Sequence, residues 1–316
     1  MRSNCLVHIG YHKTATTWLQ KELFSPSSKF FYPLSKDEWP KHLGKYFIYD
    51  EEGYLLSPFQ SRKDAFLKEF ESIRKKYKND TRVGVISNER LSGNPHSGGF
   101  DARSIADRIH ESLPDATVFC VIRRQQDIIL SMYMQYLKIG GTDSLERYLC
   151  RKYDGKRPGF SPGYLNYIDL VNYYTELFGR DHLLVLPFEL FREAPGKFIG
   201  AVCKTLSLND EIAIPKADRV HNKHLDDFIR LKFPGLNKFA IRSSVNGYST
   251  LRIPGIDRAI GLAARSFGSL GLRLTEKFRD RSREFINSFV GDKYETGNRI
   301  LSSKIGIDLS KYGYFK

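Results

Sequence analysis

Apolar residues along this chain gather in short runs of strand length at Cys5–Ile9, Arg82–Ser87, Thr117–Ile122 and His182–Pro187. Between and beyond these runs the apolar positions recur with the period of an amphipathic helix. Helices are predicted over Thr16–Phe24, Arg62–Lys76, Ala102–Leu113, Gln126–Lys138 and Gly163–Phe178, then over Pro195–Leu206 and His224–Lys232. Strands alternating with helices predict an α/β domain with a central parallel sheet, flanking helices and right-handed crossovers. Glycine, proline and polar clusters mark loops at Asp50–Ser61 and Lys152–Gly163. No repeat, low-complexity tract or linker divides the chain, which reads as a single domain over residues 1–316. Its core is expected over about 4–210 and a basic helical elaboration over about 211–290. A closing segment, 291–316, is expected to return to the core.

Composition narrows the class. Of 316 residues 41% are hydrophobic, enough for a full core and too many for a disordered chain. No apolar stretch nears the roughly 20 residues of a membrane span, and the amino end has no secretion signal. A soluble, cytoplasmic protein is expected, with peripheral membrane contact left open. The four cysteines, Cys5, Cys120, Cys150 and Cys203, lack metal-ligand spacing, so reduced thiols and no structural metal are expected. The formal charge is +14, and Lys216–Arg283 carries 15 Lys and Arg against 6 Asp and Glu. Such a surface favours an anionic partner. It has no helix-turn-helix, zinc-finger or RNP-like signature, so nucleic acid is not the expected one.

Candidate chemistry concentrates in Leu6-Val7-His8-Ile9-Gly10-Tyr11-His12-Lys13-Thr14-Ala15-Thr16-Thr17-Trp18-Leu19. An apolar strand ends at Gly10, a polar turn carries Lys13, and a helical pattern follows with hydroxyls on its first turn. A helix start presents unpaired N–H groups and positive dipole charge, which attract phosphate. A Walker A loop would place its Lys after a second glycine, whereas Lys13 precedes the threonines. The order resembles the 5′-phosphosulfate loop of sulfotransferases that use 3′-phosphoadenosine 5′-phosphosulfate (PAPS), with Ala15 where that family usually has glycine. Alanine suits a helix start but adopts positive φ only at a cost.

A second segment strengthens the resemblance. The apolar run Val118-Phe119-Cys120-Val121-Ile122 leads into Arg123, and Ser131 follows eight residues later. In the same family an Arg at a strand end and a Ser on the next helix hold the 3′-phosphate, and a guanidinium can grip phosphate bidentately. Tyr133 matches an aromatic residue two positions beyond that Ser. The stretch Tyr173–Gly179 with Leu183–Leu190, and the ending Asn298–Leu301 with Asp308–Tyr314, are similar to bacterial and carbohydrate sulfotransferases.

The resemblance implies a P-loop NTPase-like fold with helical elaborations in its C-terminal third. It also implies PAPS as sulfuryl donor and 3′,5′-ADP (PAP) as product. Sulfuryl transfer must neutralise a leaving phosphate, stabilise equatorial oxygens and accept a proton. Lys13 fits the first task, and Thr14, Ala15, Thr16, Thr17 and Trp18 fit the nucleotide. No metal is required, because a sulfuryl group carries less charge than a phosphoryl group. Glu89, beyond a strand end, is the first candidate base, unless it forms a simple ion pair with Arg90 or another cation. His12 is its rival, and His96 is a third candidate. His8, inside the first strand, reads as a core histidine. Arg219 and Lys223, beside His221, are candidates for late nucleotide contacts on charge and position. A glycan, a glycolipid or a small hydroxylated molecule is the expected acceptor. Two other readings remain open: a nucleotide or sugar kinase using the same loop, and a non-enzymatic binder of anions or nucleic acid.

Overall fold

A computed structural model describes residues 5–28, 30–34, 43–48, 59–78, 81–150, 159–208, 233–240 and 268–316, with positions 253, 255 and 262. Strand β1 (Cys5–His8) leads into a short helix α1 (Thr16–Trp18) that continues as a π-helical turn, Leu19–Leu23. Then follow β2 (Phe31–Pro33), α2 (Phe59–Lys76), β3 (Val83–Ser87), α3 (Ala102–Ser112) and β4 (Thr117–Ile122). Helices α4 (Gln125–Lys138), α5 (Leu145–Cys150) and α6 (Tyr167–Phe178) precede β5 (Leu183–Pro187). The chain continues through α7 (Phe188–Glu193), α8 (Pro195–Thr205), α9 (Asn237–Ala240), α10 (Gly268–Val290) and α11 (Glu295–Ile305).

The sheet order is β2-β3-β1-β4-β5, and every neighbouring pair is parallel. This is the α/β architecture that the alternating pattern predicts. Strands buried on both faces need apolar side chains on both, and alternation along β1 and β4 divides them. Val7, Val118, Cys120 and Ile122 pack with Phe66, Ile105, Ile129 and Val171 from α2, α3, α4 and α6. On the opposite face Leu6, Phe119 and Val121 meet Leu19 and Phe24, together with Phe198 and Val202 of α8. Complete burial of one such side chain contributes about 1.5–3 kcal/mol. Cys5, Cys120 and Cys203 are buried free thiols within these layers, and Cys150 is exposed.

Some elements differ from expectation. Strand β2 and helices α5, α7, α9, α10 and α11 are additional to the predicted set. The predicted helix over Gly163–Phe178 divides into a 3-10 turn, Pro162–Leu165, and α6, with Asn166 between them. Helix α2 begins at Phe59, inside the first predicted loop. The predicted helix over His224–Lys232 lies outside the described residues, as do 50–58 of the first loop and 151–158 of the second.

The carboxyl-terminal segment docks on the start of α4 through buried polar groups. Gln125 Nε2 donates to Asn298 Oδ1 at 2.9 Å, and Asn298 Nδ2 donates to the Tyr314 carbonyl at 2.8 Å. Tyr314 Oη donates to Glu189 Oε2 at 2.8 Å, and Glu189 Oε1 accepts the Arg124 N–H at 3.1 Å. Gln125 and Asn298 are 1% and 2% exposed, so a lost partner is not replaced by water. An unsatisfied buried amide costs about 1–3 kcal/mol. Asn298→Ala is therefore expected to lower stability by about 2–3 kcal/mol in urea unfolding. A change below about 0.5 kcal/mol would show that this network does not hold the segment.

Candidate functional site

Three loops meet at the carboxyl edge of the sheet because β1 lies between β3 and β4. The Asn88 N–H donates to the His8 carbonyl at 3.1 Å, and the Tyr11 N–H donates to the Val121 carbonyl at 3.3 Å. The segment after β1 is thus tied to the strands on both sides, at the change of winding direction where open α/β sheets form a ligand crevice.

The loop itself is strained. Lys13 and Ala15 take φ of 67° and 65°, in the left-handed region, with Thr14 at negative φ between them. Alternation of this kind turns successive N–H groups to one side, as in an anion-binding nest. The helical segment that begins at Thr16 adds its own unpaired amides. Thr14 Oγ1 donates to the Tyr11 carbonyl at 2.5 Å and is fully buried, so its hydroxyl braces the turn. Ser92 Oγ donates to the Gly10 carbonyl at 3.0 Å. Lys13 and Thr17 are exposed, and Thr16 is 6% exposed. Trp18 packs its ring against Phe191 at 4.8 Å.

Arg123 joins this loop from the end of β4. Its Nη1 donates to the Lys13 carbonyl at 2.9 Å, and its guanidinium lies 4.8 Å above the Phe188 ring. Its own carbonyl accepts from Tyr167 Oη at 2.5 Å. Burial pulls its pKa below the ordinary arginine value, against the opposing pull of Asp127 and Glu189. Its Nε is buried and, among the described residues, has no hydrogen-bond partner. Ser131 sits half-buried two turns along α4, and among the described residues its hydroxyl has no partner and does not reach Arg123. Tyr133 is a core residue, its hydroxyl donating to the Asp143 carbonyl at 3.1 Å.

Glu89 opens a 3-10 turn, Glu89–Ser92, capped by Asn88, whose Oδ1 accepts the Arg90 N–H at 2.9 Å. The expected alternative, a pair with Arg90, is replaced by another: Arg90 Nη2 lies 2.5 Å from Asp101 Oδ2. Glu89 stays half-buried at the edge. His12 is half-buried within the loop. His96 shares a 3.2 Å hydrogen bond with Tyr148 Oη, and burial pulls its pKa down to about 4, which makes it a poor proton acceptor. His8 is fully buried, its Nδ1 2.8 Å from Ser87 Oγ and its pKa pulled to about 3 by burial. Arg219 and Lys223 lie outside the described residues.

Sequence reasoning did not find Tyr167, Phe188, Glu189 or Ser92. Position alone signalled two of them, since Phe188 and Glu189 directly follow the carboxyl end of β5. A cavity of about 310 Å³ adjoins the loop, walled by Tyr11, Ser92, Phe100, Tyr164, Tyr173 and Tyr174.

No protein-family model matches this chain, and no curated protein matches it. Among the solved structures that are similar to it are two sulfotransferases. One, from Alicyclobacillus acidocaldarius, is 21% identical over 73% of this chain and 95% of its own, with a TM-score of 0.49. The other, a sulfotransferase domain from the curacin biosynthetic pathway, is 10% identical over 92% of this chain and 98% of its own, with a TM-score of 0.40.

A left-handed alanine costs about 1–2 kcal/mol, which glycine relieves at the expense of some unfolded-state entropy. Ala15→Gly is therefore expected to raise stability by about 1 kcal/mol in chemical denaturation, and a loss of stability would contradict the loop geometry. His8 and His96 make acid sensitivity a second expectation. Both are neutral when folded down to about pH 3 and 4, whereas unfolded imidazoles take up protons near 6.5. The unfolded chain then binds more protons across this window, so stability is complete above pH 6.5 and is lost as pH falls towards 4. The urea midpoint should hold from pH 8 to 7 and drop below 6.5; a midpoint flat down to pH 4 would contradict the buried, neutral assignment.

Proposed function

We propose that this chain is a sulfotransferase that moves a sulfuryl group from PAPS to an acceptor hydroxyl or amine and releases PAP. One observation carries the reading: Arg123 Nη1 donates to the Lys13 carbonyl, which holds against each other two loops that each carry a cation. A nucleotide with phosphate at both its 5′ and 3′ positions suits such a pair. Nest amides, Thr16 and Thr17 take the 5′-phosphate, and Arg123 takes the 3′-phosphate with Ser131. Trp18, backed by Phe191, gives the purine a flat wall.

In the transfer the acceptor oxygen attacks sulfur as the bond from sulfur to the bridging phosphate oxygen breaks. The Lys13 ammonium meets the charge that builds on that oxygen, and Glu89 takes the acceptor proton. A positioned base contributes roughly 10²–10⁴-fold. The cavity behind Tyr11 and Ser92 lodges part of the acceptor, and the basic stretch Lys216–Arg283 favours an anionic glycan or glycolipid. No metal is needed for these roles. Among the described residues no helix is long and apolar enough to cross a membrane.

Isothermal titration of PAP with and without EDTA, set against ATP–Mg²⁺, tests the donor. Metal-independent PAP binding is expected, and Arg123→Ala should weaken it about 10–100-fold. Lys13→Ala should lower the rate of radiolabel transfer from PAPS about 100-fold or more, and Glu89→Gln about 100-fold with PAP affinity kept. A preference for ATP–Mg²⁺ would make the chain a kinase. Steeply salt-dependent binding of duplex DNA with no nucleotide preference would make it a general anion binder.

A further inference from the structure

Beneath the phosphate loop lies a polar chain that the transfer steps do not use. Gln20 Nε2 donates to Ser87 Oγ at 3.1 Å and to the Ser87 carbonyl at 3.2 Å, and Ser87 Oγ lies 2.8 Å from His8 Nδ1. His8 and Ser87 are fully buried, and Gln20 is 7% exposed. Ser87 Oγ accepts from Gln20, and among the described residues His8 Nδ1 is the acceptor within its reach. The hydroxyl proton therefore goes to Nδ1, and the imidazole carries its own proton on Nε2. The rings of Phe24 and Phe119, at 5.7 and 5.1 Å, surround the imidazole with apolar groups and keep it neutral.

That Nε2 is buried and, among the described residues, makes no hydrogen bond, and the same holds for Thr16 Oγ1. Both atoms face the bare α-carbon of Gly10. A Cβ at Gly10 would lie 2.7 Å from His8 Nε2 and 3.4 Å from Thr16 Oγ1. A buried donor and a buried hydroxyl left open towards one spot are costly unless something completes them. A hydroxyl that donates to an anion becomes a stronger acceptor, so phosphate above Thr16 strengthens its pull on a donor below.

We propose that His8 is a positioning residue of the phosphate loop, its Nε2–H donating to the Thr16 hydroxyl once phosphate binds, so that the Thr16 proton turns to a phosphate oxygen. Glycine at position 10 keeps this path open. The inference rests on the reading of the loop as the site of the 5′-phosphate.

The test is a double-mutant cycle on PAP affinity in the full-length protein, with His8→Phe, Thr16→Val and both together. Each single change is expected to weaken binding about 10-fold, and the double no further than the weaker single. His8→Gln, whose amide nitrogen reaches the Nε2 position, should recover most of the His8→Phe loss. In the wild-type protein, two-bond ¹H–¹⁵N correlation should place the proton on Nε2 and show that site shifting as PAP is added. This measurement decides alone if His8→Phe does not fold. Additive losses near 100-fold, or a proton on Nδ1, overturn the role of His8 while leaving the phosphate site intact. No affinity of the wild-type protein for PAP overturns both.

Discussion

β1 pairs with β3 across Cys5–His8 and with β4 across Leu6–His8, so its backbone is satisfied on both edges and its side chains are buried on both faces. A strand held in this way cannot shift without breaking two ladders and exposing two apolar layers. The residue at which it ends is therefore fixed, and with it the start of the loop that carries Lys13. Asn88 and Arg123 follow the two flanking strands and inherit the same edge. The polar groups of three distant stretches of sequence converge because the hydrogen-bond register leaves them no other place.

That rigidity permits a conformation the loop would not hold by itself. Two left-handed residues that are not glycine cost about 1–2 kcal/mol each. Three side chains brace the turn from different directions: Thr14 onto Tyr11, Ser92 onto Gly10 and Arg123 onto Lys13. Each such bond contributes about 1 kcal/mol net, more where a charge is involved. The strain and its compensation are of the same order, so the open shape of the loop exists before any ligand arrives. A pre-formed shape lowers the ordering cost of binding.

The sheet was largely legible because strands buried on both faces must be written as unbroken apolar runs. Val118-Phe119-Cys120-Val121-Ile122 could be little else. β2 escaped because it has three residues, ends in Pro33 and lies at an edge, where a missing N–H is tolerated. α10 escaped because charged residues crowd its middle, Arg273–Glu284, where few apolar positions mark a buried face. At the site, Lys13 and the threonines were legible from composition at a strand end. The left-handed turn at Ala15 was not, because alanine gives no sign of it. Nor was the tie between Tyr314 and Glu189, whose partners are 125 residues apart and carry no local pattern.

That distant tie reaches the chemistry through one peptide. Glu189 holds the Arg124 N–H with one oxygen and Tyr314 with the other, while Tyr167 holds the Arg123 carbonyl. The backbone around Arg123 is thus fixed from α6, α7 and the carboxyl terminus together. Its guanidinium, half-buried over Phe188, is partly stripped of water and, among the described residues, hydrogen-bonds no carboxylate. A cation so placed recovers more from an arriving anion than a solvated one does, because it has less hydration to surrender. An exposed arginine offers attraction that water largely cancels. Arg123 is therefore prepared by partial desolvation as well as by position, and the carboxyl-terminal residues are part of that preparation.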